Sequence, residues 1–121
     1  MRPVFITGIG TDVGKTLVSA VVVKALNASY WKPIQAGGLD NTDSNFVNNL
    51  TGRVHTIHPE AYRLQMAASP HTAARAENIR IETAFLEERF KSLPETDALV
   101  IEGAGGLMVP LNDKGLLTSI C

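Results

Sequence analysis

A chain of 121 residues has room for one domain at most. Its composition, 45% hydrophobic and 19% charged, is that of an ordinary soluble globular chain. The net charge of −1 gives no basic footprint for nucleic acid or an anionic membrane, and no apolar stretch approaches the length of a membrane span. A first strand beginning almost at Met1 is expected to leave no room for a signal peptide. The single cysteine, Cys121, cannot close an internal disulfide, which accords with a reducing, cytoplasmic setting.

The first strand is predicted over about Pro3 to Thr7, around the apolar run Val4-Phe5-Ile6. A glycine-rich loop follows, Gly8-Ile9-Gly10-Thr11-Asp12-Val13-Gly14-Lys15-Thr16, and then a segment free of Gly and Pro. Strand, glycine-rich loop and helix form the context of a phosphate-binding loop. Its inward backbone N–H groups make an anion nest, the helix start adds the positive end of its dipole, and Lys15 adds a full charge. The Thr16 hydroxyl stands where such loops ligate Mg²⁺. The pattern is a variant, because G-x-x-x-x-G-K-[ST] needs glycine where this chain has Ile9, with Gly8 and Gly10 on either side. A dinucleotide fingerprint fits less well, since its third glycine would fall at Val13. The helix is predicted from about Gly14 to Asn27, with Leu17, Val18, Val21, Val22 and Leu26 as its broad apolar face. Its valines are poor helix formers, so burial must hold it.

A second strand is predicted over about Ser29 to Lys32, stopped by Pro33. Lys32-Pro33-Ile34-Gln35-Ala36-Gly37-Gly38 leaves its C-terminal end, the edge at which open α/β sheets bind ligands, so Lys32 can project toward the phosphate loop. Asp40 or Asp43 is expected to cap a short helix from Asp43 to about Leu50, ended by Thr51-Gly52; a carboxylate there can also reach Mg²⁺. His55 to Met66 reads as irregular with some strand. His55, His58 and His71 lack the companions of a zinc site. Ser69 followed by Pro70 signals a helix start, and Phe85, Leu86, Phe90 and Leu93 give an amphipathic helix over Glu82 to Leu93. Ala98-Leu99-Val100-Ile101-Glu102 is a buried strand closing on an acid, the Walker B arrangement, and it is expected beside the first strand. The loop Gly103-Ala104-Gly105-Gly106 after it lets backbone amides approach a ligand closely.

With these residues in place the chain resembles the dethiobiotin synthetases. Four stretches carry the resemblance: the variant loop Thr7 to Thr16, Lys32-Pro33-Ile34-Gln35-Ala36-Gly37, Ser69-Pro70-His71, and Val100-Ile101-Glu102-Gly103-Ala104-Gly105-Gly106. The resemblance implies an α/β fold: P-loop NTPase-like, a mostly parallel sheet flanked by helices, in a homodimer with active sites near the interface. It implies ATP- and Mg²⁺-dependent ring closure on 7,8-diaminononanoate with CO₂, in which a substrate carbamate attacks the γ-phosphate and the second amine then displaces phosphate. Lys15, Lys32 and Thr11 would be catalytic. Asp12, Val13, Gly14, Lys15, Thr16, Leu17, Asp43, Glu102, Gly103, Ala104 and Gly105 would surround ATP. Thr16, Asp43 and Glu102 would ligate Mg²⁺, and Lys32 and Ala36 would meet substrate. Ala36 departs from members with a hydroxyl there, and Asp12 replaces a common glutamate.

The family needs roughly 200 residues, within the single-domain range. Residues 1–121 are therefore expected to be the N-terminal part of one P-loop nucleotide-binding domain, with an incomplete sheet and little activity alone. Three other readings compete: a related P-loop ATP-dependent ligase or amidotransferase of cofactor biosynthesis, a partitioning-type ATPase that switches on DNA or membrane, and a non-catalytic phosphate-binding fragment. The expected partners are small molecules, with neither nucleic acid nor membrane among them.

Overall fold

The structure, a computed structural model, describes residues 2–7, 12–68, 70–103, 107–108, 111–112, 115–116 and 119–120; for residues 2, 12, 13 and those after 103 the backbone alone is described. β1 (Arg2–Ile6), α1 (Asp12–Leu26), β2 (Ser29–Trp31), β3 (Ile34–Ala36), α2 (Asp43–Leu50), β4 (Ile57–His58) and β5 (Tyr62–Leu64) come first. α3 (Pro70–Ala76), α4 (Thr83–Ser92) and β6 (Ala98–Glu102) follow, then the two-residue strands β7 (Leu107–Met108), β8 (Leu111–Asn112), β9 (Gly115–Leu116) and β10 (Ser119–Ile120).

The main sheet has the order β1-β6-β2-β4, and every pairing in it is parallel. The acid-ended strand β6 therefore lies directly beside β1, with Ile6 opposite Glu102, and holds β2 on its other side. β3 and β5 form a second parallel pair, whereas β7 with β10 and β8 with β9 are antiparallel. The predicted mostly parallel α/β sheet is what forms. The segment around His55 to Met66 holds two short strands, β4 in the main sheet and β5 paired with β3.

Side chains alternate across a strand, so β6 serves two cores. Ala98 and Val100 join Ala20, Val23, Tyr30 and Val47 under α1 and α2. Leu99 and Ile101 join Trp31 on the opposite face, where Phe90 and Leu93 pack against them. A third cluster, Ile34, Leu64, Ala73, Ala74 and Leu86, sits between the small sheet, α3 and α4. Phe85 closes an edge-on contact with Tyr62 at 5.3 Å between ring centres.

Helix α1 turns a different face inward from the one its valines predict. Lys15, Thr16, Ser19, Ala20 and Val23 are buried, while Leu17, Val18 and Val21 are 48%, 49% and 60% exposed and Leu26 is exposed too; of the predicted face, Val22 alone packs against the core, and it is half-buried. The spacing of the inward residues is still helical. The sheet face selects small and polar side chains because Glu102 and Tyr30 stand opposite them. The cap of α2 is also corrected. Thr42, not Asp40 or Asp43, is the N-cap, its hydroxyl accepting from the Asn45 amide at 3.1 Å. Asp43 is instead the first helical residue, where its charge complements the helix dipole. Ser69 lies outside the described residues; the helix starts at Pro70 as the Pro signal predicts.

Candidate functional site

The same alternation builds the site. Ala98, Val100 and Glu102 share one face of β6, and Tyr30 shares that face on β2 with Lys32 just beyond the strand. The register pairs Trp31 with Ile101, so one residue further on Lys32 comes beside Glu102. Both point toward α1 and α2. Pro33 then stops the strand, and the chain leaves at the C-terminal edge of the sheet.

Glu102 is the centre of what assembles there, and it is fully buried. Its Oε2 accepts from the Thr16 hydroxyl at 3.1 Å and lies 3.8 Å from Lys32 Nζ. Its Oε1 accepts from the Tyr30 hydroxyl at 3.0 Å. Lys32, also buried, donates to Asp43 Oδ2 at the start of α2. Lys15 donates from Nζ to the Gly103 carbonyl at 3.2 Å, and the Gly103 amide donates to the Ile6 carbonyl at 3.0 Å. Two lysines, two carboxylates and two hydroxyls are thus gathered from α1, β2 and its end, α2 and the end of β6. A recess of about 160 Å³ opens beside them, lined by Thr16, Asn41, Thr42, Asp43 and Phe46.

Burial pushes the Glu102 carboxyl above the usual range, more strongly than the Lys32 charge holds it down. Asp43 adds to the upward push; the Ser19 and Tyr30 hydroxyls oppose it. Ser19 acts on the carboxyl without reaching hydrogen-bonding geometry among the described residues. Burial, followed by the neighbouring Glu102 charge, drives the Tyr30 phenol far above its ordinary value, so it remains a protonated donor.

Not every predicted residue joins this group. Gly14 and Leu17 lie on the first turns of α1 and are exposed. Asp12 and Val13 contribute described helical backbone, and Thr11, Ala104 and Gly105 lie outside the described residues. The Ala36 methyl packs toward the Ile34 and Leu64 cluster. Two residues were not singled out by sequence reasoning. Tyr30 was missed although the period of two from Lys32 puts it on the site face. Gln35 is buried and its Oε1 accepts from the Asp43 amide at 3.2 Å while its amide group donates to the Gly37 carbonyl at 2.9 Å. It ties the Lys32-Pro33 turn to the start of α2, and only the three-dimensional path of that turn reveals it.

The donor set fits a small hard cation. Thr16 Oγ1, Asp43 Oδ2 and Glu102 Oε2 are all oxygens, the atoms Mg²⁺ prefers, and Lys32 supplies the positive charge between the two carboxylates. No sulfur or imidazole belongs to this group.

A parallel sheet, a helix carrying Gly14-Lys15-Thr16 at its start and an acid at the end of the adjacent strand define a P-loop NTPase-like nucleotide-binding domain. A family model described as an AAA domain matches residues 2–121, and the chain belongs to that family. Among curated proteins it is similar to the ATP-dependent dethiobiotin synthetase BioD of Cytophaga hutchinsonii, 51% identical over 123 residues, 99% of this chain and 57% of that one. The protein of the same name from Chlamydia pneumoniae is 49% identical over 96% of this chain and 50% of its own length. That from Christiangramia forsetii is 49% identical over 96% and 55%. The chain spans about half the length of the curated relatives it matches. Among the described residues no helix is long and apolar enough to cross a membrane.

Proposed function

We propose that this chain forms the nucleotide-activating portion of a dethiobiotin synthetase, an ATP-dependent C–N ligase acting on 7,8-diaminononanoate and CO₂. The observation that carries the reading is the convergence of Lys15, Thr16, Lys32, Asp43 and Glu102 at one sheet edge. The relatives' names and the alignment of nearly all of this chain to about half of their length support it. An anionic carbamate must meet an anionic phosphate, so positive charge has to be held at the meeting point. Lys15 lies against the Gly103 carbonyl at the phosphate-loop end, and Lys32 stands at the substrate side beside both carboxylates. Thr16, Asp43 and Glu102 would hold Mg²⁺, which when bound neutralises phosphate charge and orients the phosphoryl group. The phosphate-facing part of the reading includes Thr11, the amides of Asp12, Val13 and Gly14, Leu17, and the loop Gly103, Ala104 and Gly105. Ala36 belongs to the substrate side, where it offers no hydroxyl. We place the activity in the cytoplasm and in a homodimer, with residues 1–121 forming one nucleotide-binding unit.

Calorimetric titration of the 121-residue chain with ATP–Mg²⁺, followed by 7,8-diaminononanoate, tests the binding part. Binding of ATP–Mg²⁺ that Glu102→Gln weakens is the expected result; no heat from nucleotide would overturn it. In a chain of the relatives' length, Lys32→Ala is expected to cut dethiobiotin formation while leaving ATP binding largely unchanged. Parallel loss of both would assign Lys32 to nucleotide binding or to structure.

A further inference from the structure

Away from the Glu102 group, α3 and the segment after it line a cleft of about 500 Å³. That volume is within the range of small-ligand sites. His71 and Arg75 face it from one side of α3, four residues apart and hence one turn apart. The chain then reverses at Asn78, which takes a left-handed φ of 56°, and brings Arg80 back to the same cleft. Ile79 and Ile81 supply an apolar wall.

The charge there is one-sided. Among the described residues no acidic side chain lines the cleft. Glu77 accepts from the Gln65 amide at 2.7 Å, and Glu82 lines a neighbouring cleft that shares Arg80 and Ile81 with this one. The Arg75 and Arg80 guanidiniums form no ion pair or hydrogen bond with any described residue. The His71 Nε2 atom is buried and has no partner among the described residues. A buried ring nitrogen without a partner is costly and uncommon. The carbonyls of Ala74 and Arg75, which would otherwise repel an anion, already accept from Glu77, Asn78 and Ile79 amides.

We propose that His71, Arg75 and Arg80 form a binding site for a phosphate-type anion, either free inorganic phosphate or the phosphate of a small monoester. Guanidinium forks match phosphate oxygens two at a time, and the His71 ring lines the same cleft. The Ile79 and Ile81 wall would receive the carbon portion of a monoester. The site shares no residue with the Glu102 group and does not depend on the reading of that group.

The test is proton NMR of the three histidine rings in the 121-residue chain, with His71 assigned by its loss in His71→Gln. Inorganic phosphate and glycerol phosphate are titrated separately, at fixed pH and with ionic strength held by chloride. The expected result is a saturating shift of the His71 resonance in the millimolar range, while His55 and His58 stay in place. Saturation by inorganic phosphate alone marks a free-ion site; tighter saturation by glycerol phosphate marks a phosphorylated ligand. In Arg75→Gln/Arg80→Gln, both exposed changes, affinity is expected to fall by about tenfold or more. Each single variant repeats this arm should the double variant lose its circular-dichroism spectrum. A His71 resonance that does not saturate, or that responds equally in the Arg variants, overturns the proposal.

Discussion

The Tyr30 hydroxyl donates to one oxygen of the buried Glu102 carboxyl at 3.0 Å, leaving the other oxygen to Thr16 and Lys32. Tyr30 thereby fixes which way the acid faces. Tyr30→Phe leaves that oxygen without its donor, and a loss of about 1–3 kcal/mol in unfolding free energy is expected. The sign with pH follows from the shift. Because burial raises the Glu102 carboxyl in the folded state, its contribution favours the fold in acid and is lost as pH rises through the folded value. The Tyr30 hydrogen bond opposes that loss, so the variant should suffer more at neutral pH than in acid. Urea melts at the two pH values measure this; an equal cost at both would argue against a bond to the ionised carboxylate.

Lys32 is the counter-charge of two carboxylates, both held near its ammonium in a buried setting. Removing one partner of such a group leaves charge uncompensated. Lys32→Met is expected to cost about 3–5 kcal/mol without added metal. Millimolar Mg²⁺ should then restore more stability to the variant than to the parent, because the same oxygens regain positive charge. Equal stabilisation of both chains by Mg²⁺ in thermal melts would move the cation elsewhere.

His58 sits in β4 beside Trp31, buried and with Nε2 unpartnered among the described residues. Burial lowers its pKa below the ordinary 6.5, so the unfolded chain takes up a proton before the folded one does. The stability from neutral His58 is present above that value and is lost as pH falls below it. His58→Gln should therefore flatten the decline in urea midpoint between neutral pH and pH about 5, where unfolded histidine is charged. An unchanged slope would show that carboxylates alone set the acid limb.

Gly37 takes φ of 78°, and a Cβ added there would meet the Ala67 Cα at 2.6 Å. Its amide also donates to the Leu64 carbonyl at 2.8 Å, closing the second sheet's edge. Gly37→Ala combines a left-handed backbone with a backbone clash, so a cost of about 2 kcal/mol or more is expected. Gly52, with φ of 84° and open space around it, carries only the backbone part, so Gly52→Ala should cost less. Chemical denaturation of the two variants side by side decides it; equal losses would mean that Ala67 yields freely.

What the sequence made legible was the part written in local pattern. The acid-ended strand, the helix after the glycine loop and the strand stopped by Pro33 each carry their own signal, and they bring Lys15, Thr16, Lys32 and Glu102 to one edge. What stayed hidden depended on which elements face each other. The inward side of α1 is set by the buried polar groups opposite it, so counting valines picked the exposed side. The Thr42 cap stood next to two aspartates with the same capping chemistry, and propensity does not separate them. Gln35 and Tyr30 gain their roles from partners far along the chain or across a turn.

The position of β6 between β1 and β2 has a consequence for how the molecule is made. β1 and β2 are separated in space by a strand that is not synthesised until residues 98–102. Until then β1 lacks its partner in the sheet and β2 is paired on one side only, with β4, so α1 has no continuous surface to rest on. Sheets that depend on such distant pairings fold slowly, because the loop-closure entropy is lost before the contacts form. Glu102 arrives at the end of that late strand, so the charged site and the sheet are completed by one insertion. A nascent chain stopped short of Ala98 would hold the phosphate-loop residues but neither the surface nor the acid that orients them.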